Sequence, residues 1–305
     1  MEEKRSLSLS LGSVSWEKEL GDYYIDMRAA KTHYTDGTYR TKFDERGVPM
    51  IPTQDGYKYF PINISQYGFI LLSEYNSNKS DSILTTLKEL VNVLESLKSE
   101  DKYQAIWWHD FKNLRYNIPA PWASAMAQGE IISFYLRMYQ ITNDKNLLIT
   151  SEKAANFLLD ETHNKRVAIR DENGYLWLEE YPSTPPSYVL NGFVYALFGL
   201  VDLYRVKRGS KIKKAIDECF LTLSKNIHRF DAGYWSYYDL LIKELVRYYY
   251  QKNVHVLELE VLYILTNDEV FNKYAKKWKK QINPVNFAFV RIMYRVLPRI
   301  RKTLR

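Results

Sequence analysis

A single cysteine, Cys219, is present in 305 residues. That excludes an intramolecular disulfide and any multi-cysteine metal site. Cys219 lies in Ile216-Asp217-Glu218-Cys219-Phe220-Leu221, a helical context, and reads as a small core residue. There is no glycine-rich dinucleotide fingerprint, so no redox cofactor is expected, and no metal either. Zinc-finger, RNA-recognition and homeodomain signatures are lacking, which argues against nucleic acid as a partner. The opening Met1-Glu2-Glu3-Lys4-Arg5 lacks the apolar core of a signal peptide. The apolar run over 187–203 is too short and too interrupted to span a membrane. A cytoplasmic protein, at most peripheral on a membrane, is therefore expected. No helical repeat of fixed period is found, which argues against a regular solenoid.

What is abundant is tyrosine, with 26 residues. A phenol offers a flat face to a sugar ring and a hydroxyl that donates, accepts or ionises, although half-buried helix packing accounts for most tyrosines. The net charge of +7 is concentrated near the end, at Lys276, Lys277, Lys279, Lys280, Arg291, Arg295, Arg299, Arg301, Lys302 and Arg305. Such a tail suits polyanions, whether acidic polysaccharide or anionic lipid.

Four segments follow from the pattern. Residues 1–20 are polar and serine-rich and read as a mobile lead. Residues 21–61 have a strand-and-turn texture, with Asp-Gly signals in Thr35-Asp36-Gly37-Thr38 and Gln54-Asp55-Gly56-Tyr57, and predict one or two hairpins. Residues 62–281 alternate helix out and helix back, with helices expected over 62–75, 82–97, 147–159, 210–226, 258–265 and 267–280. Between them, 103–121 reads as an aromatic, polar loop. Pro121 reads as the first turn of a helix carrying Gln128, and Pro186 or Ser187 as the start of a buried helix. Residues 282–305 form a basic amphipathic helix, to lie on an anionic membrane or dock on the body. The fold class expected is mainly α, an incomplete (α/α) toroid with a short N-terminal β-hairpin region.

The stretch most suggestive of chemistry is 176–204. Pro182, Pro185 and Pro186 forbid regular helix across its first half. It therefore reads as a rigid loop carrying Glu179, Glu180 and Tyr181 into the buried helix.

Glu179-Glu180-Tyr181-Pro182-Ser183-Thr184-Pro185, followed by Tyr188-Val189-Leu190-Asn191-Gly192-Phe193-Val194-Tyr195-Ala196-Leu197, closely resembles the hallmark of the D-glucuronyl C5-epimerases. Those enzymes convert D-glucuronic to L-iduronic acid within heparan-type glycans. Ser124-Ala125-Met126-Ala127-Gln128-Gly129 and Tyr238-Asp239-Leu240 resemble the same family. So does the passage from Tyr57-Lys58-Tyr59-Phe60-Pro61-Ile62 into Gln66-Tyr67-Gly68. The resemblance covers roughly 45–281. It omits the β-sandwich domain of the animal enzymes, since only 76–81 separates the two helices that flank it there. It also departs at Leu241, where the family commonly has arginine, and in the register around Arg247-Tyr248-Tyr249-Tyr250 and His255.

Epimerisation at C5 removes a proton beside a carboxylate and returns one to the opposite face, which calls for two proton carriers and a grip on the carboxylate. The resemblance implies Tyr181 and Tyr238 as the catalytic phenols, Glu180 as the base or director of proton traffic, and Tyr250 as a third candidate. A cation nearby is expected to lower a phenol toward working pH. Arg247, His255 and Lys243 are candidates for the carboxylate, Arg247 favoured for its bidentate fork; His255 reads equally as a core histidine. Gln66, Gln128 and Asn191 are candidates for sugar hydroxyls or structural amides. Tyr57, Trp122, Trp107 and Trp108 are candidates for sugar contact. The expected partner is a uronic-acid-containing polysaccharide or oligosaccharide, with a homodimer also open. Two other classes stay open: a β-eliminating uronate lyase, which begins with the same proton abstraction, and a non-catalytic acidic-glycan-binding protein.

Overall fold

The computed structural model describes residues 7–303, with side chains described through Tyr294 and at Val296. In chain order the strands are β1 Ser10–Leu11, β2 Ile25–Asp26, β3 Lys42–Phe43, β4 Pro49–Thr53, β5 Gly56–Tyr59, β6 Lys98–Glu100, β7 Ala105–His109, β8 Trp122–Ala123, β9 Ala168–Arg170 and β10 Leu176–Leu178. The helices are α1 Lys31–Thr35, α2 Pro61–Asn78, α3 Asp81–Leu97, α4 Ala125–Thr142, α5 Lys145–Leu158, α6 Leu190–Val206, α7 Ser210–Asn226, the single turn α8 Tyr248–Tyr250, α9 Val256–Thr266, α10 Glu269–Gln281 and α11 Pro284–Thr303. A π-helical turn, Gln251–His255, joins α8 to α9.

The long helices pair as α2/α3, α4/α5, α6/α7 and α9/α10, the first of each pair on the inside and the second outside. The result is the expected incomplete (α/α) toroid. Their ends follow local chemistry. Ser124 Oγ accepts the Ala127 amide to cap α4, Asp144 and Asp268 cap α5 and α10 in the same way, and Asn143 and Asn267 close α4 and α9 in left-handed conformation. Helix α6 is buried from Leu190 to Leu203, which is why its sequence is apolar on every face. It crosses α4 in backbone contact. A Cβ on Gly129 would lie 2.4 Å from Ala196 Cα, and one on Gly199 2.4 Å from the Gly129 carbonyl.

Four local expectations need correction. Only the second Asp-Gly signal turns a hairpin, β4 to β5 with Thr53 opposite Gly56, while the first follows α1. The presumed loop over 103–121 contains β7, a buried strand paired with β6 and β8. Pro121 precedes β8, and the helix begins only at Ala125. Helix α6 begins at Leu190 rather than at 186 or 187, because Tyr188 adopts φ +50° and both it and Ser187 are captured by Glu179.

Residues 1–6 of the presumed mobile lead lie outside the described residues. From Leu7 onward the lead is a docked strap. Trp16 Nε1 donates to the Leu265 carbonyl at 2.9 Å, the Leu9 amide to Asn253 Oδ1 at 2.9 Å, and Arg205 Nε to the Glu17 carbonyl at 2.6 Å. Helix α11 docks on the body: Val290 is fully buried, Asn286 Nδ2 donates to the Tyr234 carbonyl, and the Tyr294 hydroxyl to that of Val246. The membrane reading rested on Phe287, Phe289, Val290, Ile292, Met293, Val296, Leu297 and Ile300 interleaved with arginines, and of that pattern the side chains of Arg295, Leu297, Arg299, Ile300 and Arg301 lie outside the described ones. Among the described residues no helix is long and apolar enough to cross a membrane.

Candidate active site

The two glutamates of the proline-rich loop have opposite roles. Glu179 faces inward and braces the loop. Its carboxylate accepts the Ser187 amide and hydroxyl, each at 2.8 Å, and the Tyr188 amide at 3.0 Å. Burial pushes its pKa up to about 7, against those hydrogen bonds, which favour the charged form. Glu180 points the other way and lies directly on α6 at Gly192. A Cβ there would sit 2.2 Å from Glu180 Cβ and 2.5 Å from its Oε2. The helix has no side chain at that point because the glutamate occupies the space.

Glu180 is only 3% exposed and collects two phenols. The Tyr238 hydroxyl lies 3.3 Å from Oε2, and Tyr181 lines the same wall beside them. Tyr238 is delivered by the segment after α7, pinned to the base of α6 through the Val189–Asp239 bridge and the Leu190 amide, which donates to the Tyr238 carbonyl. Tyr181 stacks on Tyr116 at 5.0 Å and backs onto Trp122 at 5.7 Å. Arg115 lies over the Tyr238 ring, 4.6 Å from its centroid, and is ion-paired with Asp239 and Glu244 at 3.3 and 2.9 Å.

Burial raises the Glu180 carboxyl to about 7, with the neighbouring phenols and Arg115 pulling the other way. Both phenols are pushed well above their ordinary value, first by burial and then by the charge of Glu180. The expectation of a cation-lowered phenol is thereby reversed: these are neutral hydroxyls beside a carboxylate poised near neutrality.

This cluster forms one wall of a cavity of about 520 Å³. Of the residues singled out in the sequence, Glu180, Tyr181, Tyr238, Tyr250, Asn191 and Gln66 all line it. Tyr250 sets its ring 5.7 Å from that of Tyr238, and Gln66 Nε2 donates to Glu130 Oε1 at 3.0 Å.

The others are elsewhere. Arg247 is exposed and lies over Tyr294, 5.0 Å from its centroid, not on the cavity. His255 is fully buried behind Tyr250, its Nδ1 2.9 Å from Ser236 Oγ. Desolvation lowers its pKa to about 3, which favours the neutral ring, and it does not line the cavity. Lys243 is exposed, and its backbone amide donates to Asp239. Gln128 is buried inside α4, and neither of its amide atoms has a hydrogen-bond partner among the described residues. Trp122 supports Tyr181 from behind, and Trp107 is fully buried with Nε1 on the Leu94 carbonyl. Trp108 packs on Phe157 at 6.0 Å. Tyr57 is 39% exposed on β5, under Lys42.

The sequence reading missed Arg115, which lay unremarked in the presumed loop, as well as Arg40, Tyr195 and the buried carboxyl Glu130. No spacing signal distinguished them. Among the described residues no group of three or more His, Cys, Asp and Glu side chains is arranged to hold a metal ion.

The family model described as the D-glucuronyl C5-epimerase C-terminus matches residues 100–280. A D-glucuronyl C5-epimerase of Caenorhabditis elegans is 34% identical over 186 residues, 53% of this chain and 29% of that enzyme. An uncharacterized protein of Methanocaldococcus jannaschii is 26% identical over 242 residues, 74% of this chain and 78% of that one. Among solved structures, the cellobiose 2-epimerase of Bacillus thermoamylovorans superposes with a TM-score of 0.59 at 13% identity, covering 83% of this chain and 68% of that one. The Spirochaeta thermophila cellobiose 2-epimerase gives 0.52 at 14%, covering 83% and 65%. At such identities those two speak for the fold alone. The match over residues 100–280, which contains Glu180, Tyr181 and Tyr238, places this chain in the carbohydrate-epimerase family defined by the C-terminal domain of the D-glucuronyl C5-epimerases.

Proposed function

We propose that the protein inverts C5 of D-glucuronate residues in a uronate-containing polysaccharide or lipid-linked oligosaccharide, interconverting them with L-iduronate. The C5 proton is acidified by the neighbouring carboxylate, and its loss gives an enolate-like transition state. In the proposed cycle the Glu180 carboxylate draws the proton from one phenol as that oxygen takes the proton from C5. The second phenol gives its own proton to the opposite face, and Glu180 then restores it. Each turnover ends with one carboxylate and two neutral phenols, as it began. The observation that carries the reading is the Tyr238 hydroxyl 3.3 Å from Glu180 Oε2, with Tyr181 beside both on the wall of one cavity.

The test is incubation with glucuronate-containing glycans in deuterated water. Deuterium is expected at C5, with iduronate appearing in the product. Tyr181→Phe and Tyr238→Phe are each expected to lower exchange by roughly 10²-fold or more, the range for loss of a general acid or base. Unchanged rates in both variants would remove the phenols from the reaction. Absorbance from a 4,5-unsaturated sugar would assign the same proton abstraction to elimination instead.

A further inference from the structure

Arg40 holds a backbone conformation that side-chain-bearing residues seldom adopt. Its φ is +53°, in the left-handed region where glycine sits without strain. The turn is firmly built. The Arg40 amide donates to the Gly37 carbonyl at 3.0 Å and the Tyr39 amide to that of His33 at 3.1 Å, and the Tyr39 ring packs edge-on against Tyr34 and His33 at 5.3 Å. A strained, well-supported residue of this kind is a frequent mark of a functional position.

What the turn delivers is charge. Arg40 lines the same cavity as Glu180, Tyr181 and Tyr238, and among the described residues no other lysine or arginine does. It is exposed, and no acidic side chain pairs with it among the described residues. The other arginines near the site are engaged: Arg115 with Asp239 and Glu244, Arg247 outside the cavity on Tyr294. The cavity wall meanwhile carries Glu180, with Glu130 behind Gln66. An acidic sugar entering such a space needs a compensating cation, and a guanidinium fork is matched to a carboxylate.

We infer that Arg40 receives the carboxylate of the bound sugar acid and makes the cavity selective for a hexuronate over the corresponding neutral hexose. The inference rests on the reading of the cavity as a uronate site, but its test is independent of turnover. Calorimetric binding at low salt would compare a glucuronate-containing oligosaccharide with its carboxyl-reduced counterpart on the full chain. The native protein is expected to prefer the acid by roughly tenfold or more, as a charge-assisted hydrogen-bond pair allows. Arg40→Gly should abolish the preference while leaving the neutral ligand's affinity unchanged; Arg40→Lys should keep part of it.

Glycine relieves the left-handed strain, so the melting temperature of Arg40→Gly should equal or exceed the native value. Arg40→Asn, which also tolerates this conformation, decides the matter should the glycine variant lose structure. A preference that survives loss of the guanidinium overturns the inference, as does a native protein indifferent to the carboxylate. Arg40-dependent binding without any C5 exchange would sink the proposed reaction and leave this inference standing. Normal exchange with an unaltered KM in Arg40→Gly would do the reverse.

Discussion

At the scale of single residues, the proposed chemistry depends on a carboxylate raised toward neutrality by burial, which accepts a hydrogen bond from the Tyr238 hydroxyl and lies beside Tyr181, both phenols being pushed well above their ordinary range. Exchange at C5 should therefore rise with pH through about 7 as Glu180 ionises. Glu180→Gln should flatten that rise and lower the rate by roughly 10²-fold or more. A profile that is level from pH 5 to 8 in the native protein would remove Glu180 from proton transfer. Stability should run the opposite way. A carboxyl raised from 4.5 to about 7 contributes fully below its unfolded value, and that contribution is lost as pH rises through the folded one. The loss for one such group is on the order of 3 kcal/mol, so the urea midpoint should fall between pH 5 and 8, and by less in Glu180→Gln. Glu179, raised by the same burial, retains its own part of the slope in that variant.

These two glutamates and the two phenols were legible in the sequence because they stand inside contiguous motifs. Arg115 and Arg40 were not, since each reaches the site from an element whose position is fixed only by tertiary packing. Arg247 misled for the same reason. The tyrosines that follow it turn into α8, and its own side chain is left on the far side, against α11.

At the scale of elements, the helix that carries the site is shaped by what it leaves out. Alanine is ordinarily the better helix former by about 1 kcal/mol, yet at position 192 its Cβ would fall on the side chain of Glu180. Gly192→Ala should therefore leave α6 intact and displace the carboxylate, lowering exchange by roughly 10-fold or more, since small misplacements are costly in catalysis. Gly129→Ala is the contrasting case. Its clash is with the backbone of Ala196, so it should cost on the order of 1–3 kcal/mol or more in stability by forcing α4 from α6. Equal activity in Gly192→Ala and the native protein would show that Glu180 needs no such fit.

The helices themselves were legible from periodicity and caps, and α7 matches the expected span residue for residue. The start of α6 was not, because proline statistics could not foresee that Glu179 would capture Ser187 and Tyr188 and hold the chain non-helical for three more residues. Strand β7 was misread because two tryptophans and a histidine look polar and mixed in sequence, whereas in the fold Trp107 and His109 are both buried.

At the scale of the whole molecule, the N-terminal strap closes around the toroid through one buried charge. Asp202, fully buried in α6, accepts hydrogen bonds from Tyr24 at 2.8 Å, Arg137 at 2.6 Å and Arg205 at 3.3 Å. The two arginines in turn hold the strap by its backbone: Arg205 takes the carbonyls of Glu17 and Glu19, and Arg137 those of Gly21 and Asp22. Nothing in the local pattern near residue 20 announces this, because the partners lie more than a hundred residues away. The strap also reaches the cavity, where Leu7 and Leu9 line it and Asn253 fastens both through their backbone. Removing the carboxylate would leave two buried guanidiniums without their counter-charge, a loss of about 3–5 kcal/mol for a broken buried pair. Asp202→Asn keeps the shape and drops the charge, and should lower stability by that order in chemical denaturation. It should also free the strap, so that amides of residues 9–20 exchange with solvent well before those of α4 and α6. A loss below about 1 kcal/mol, typical of an exposed pair, with strap and core exchanging together, would mean that the strap is held by its apolar contacts, Leu7, Leu20 and Trp16, and not by this charge.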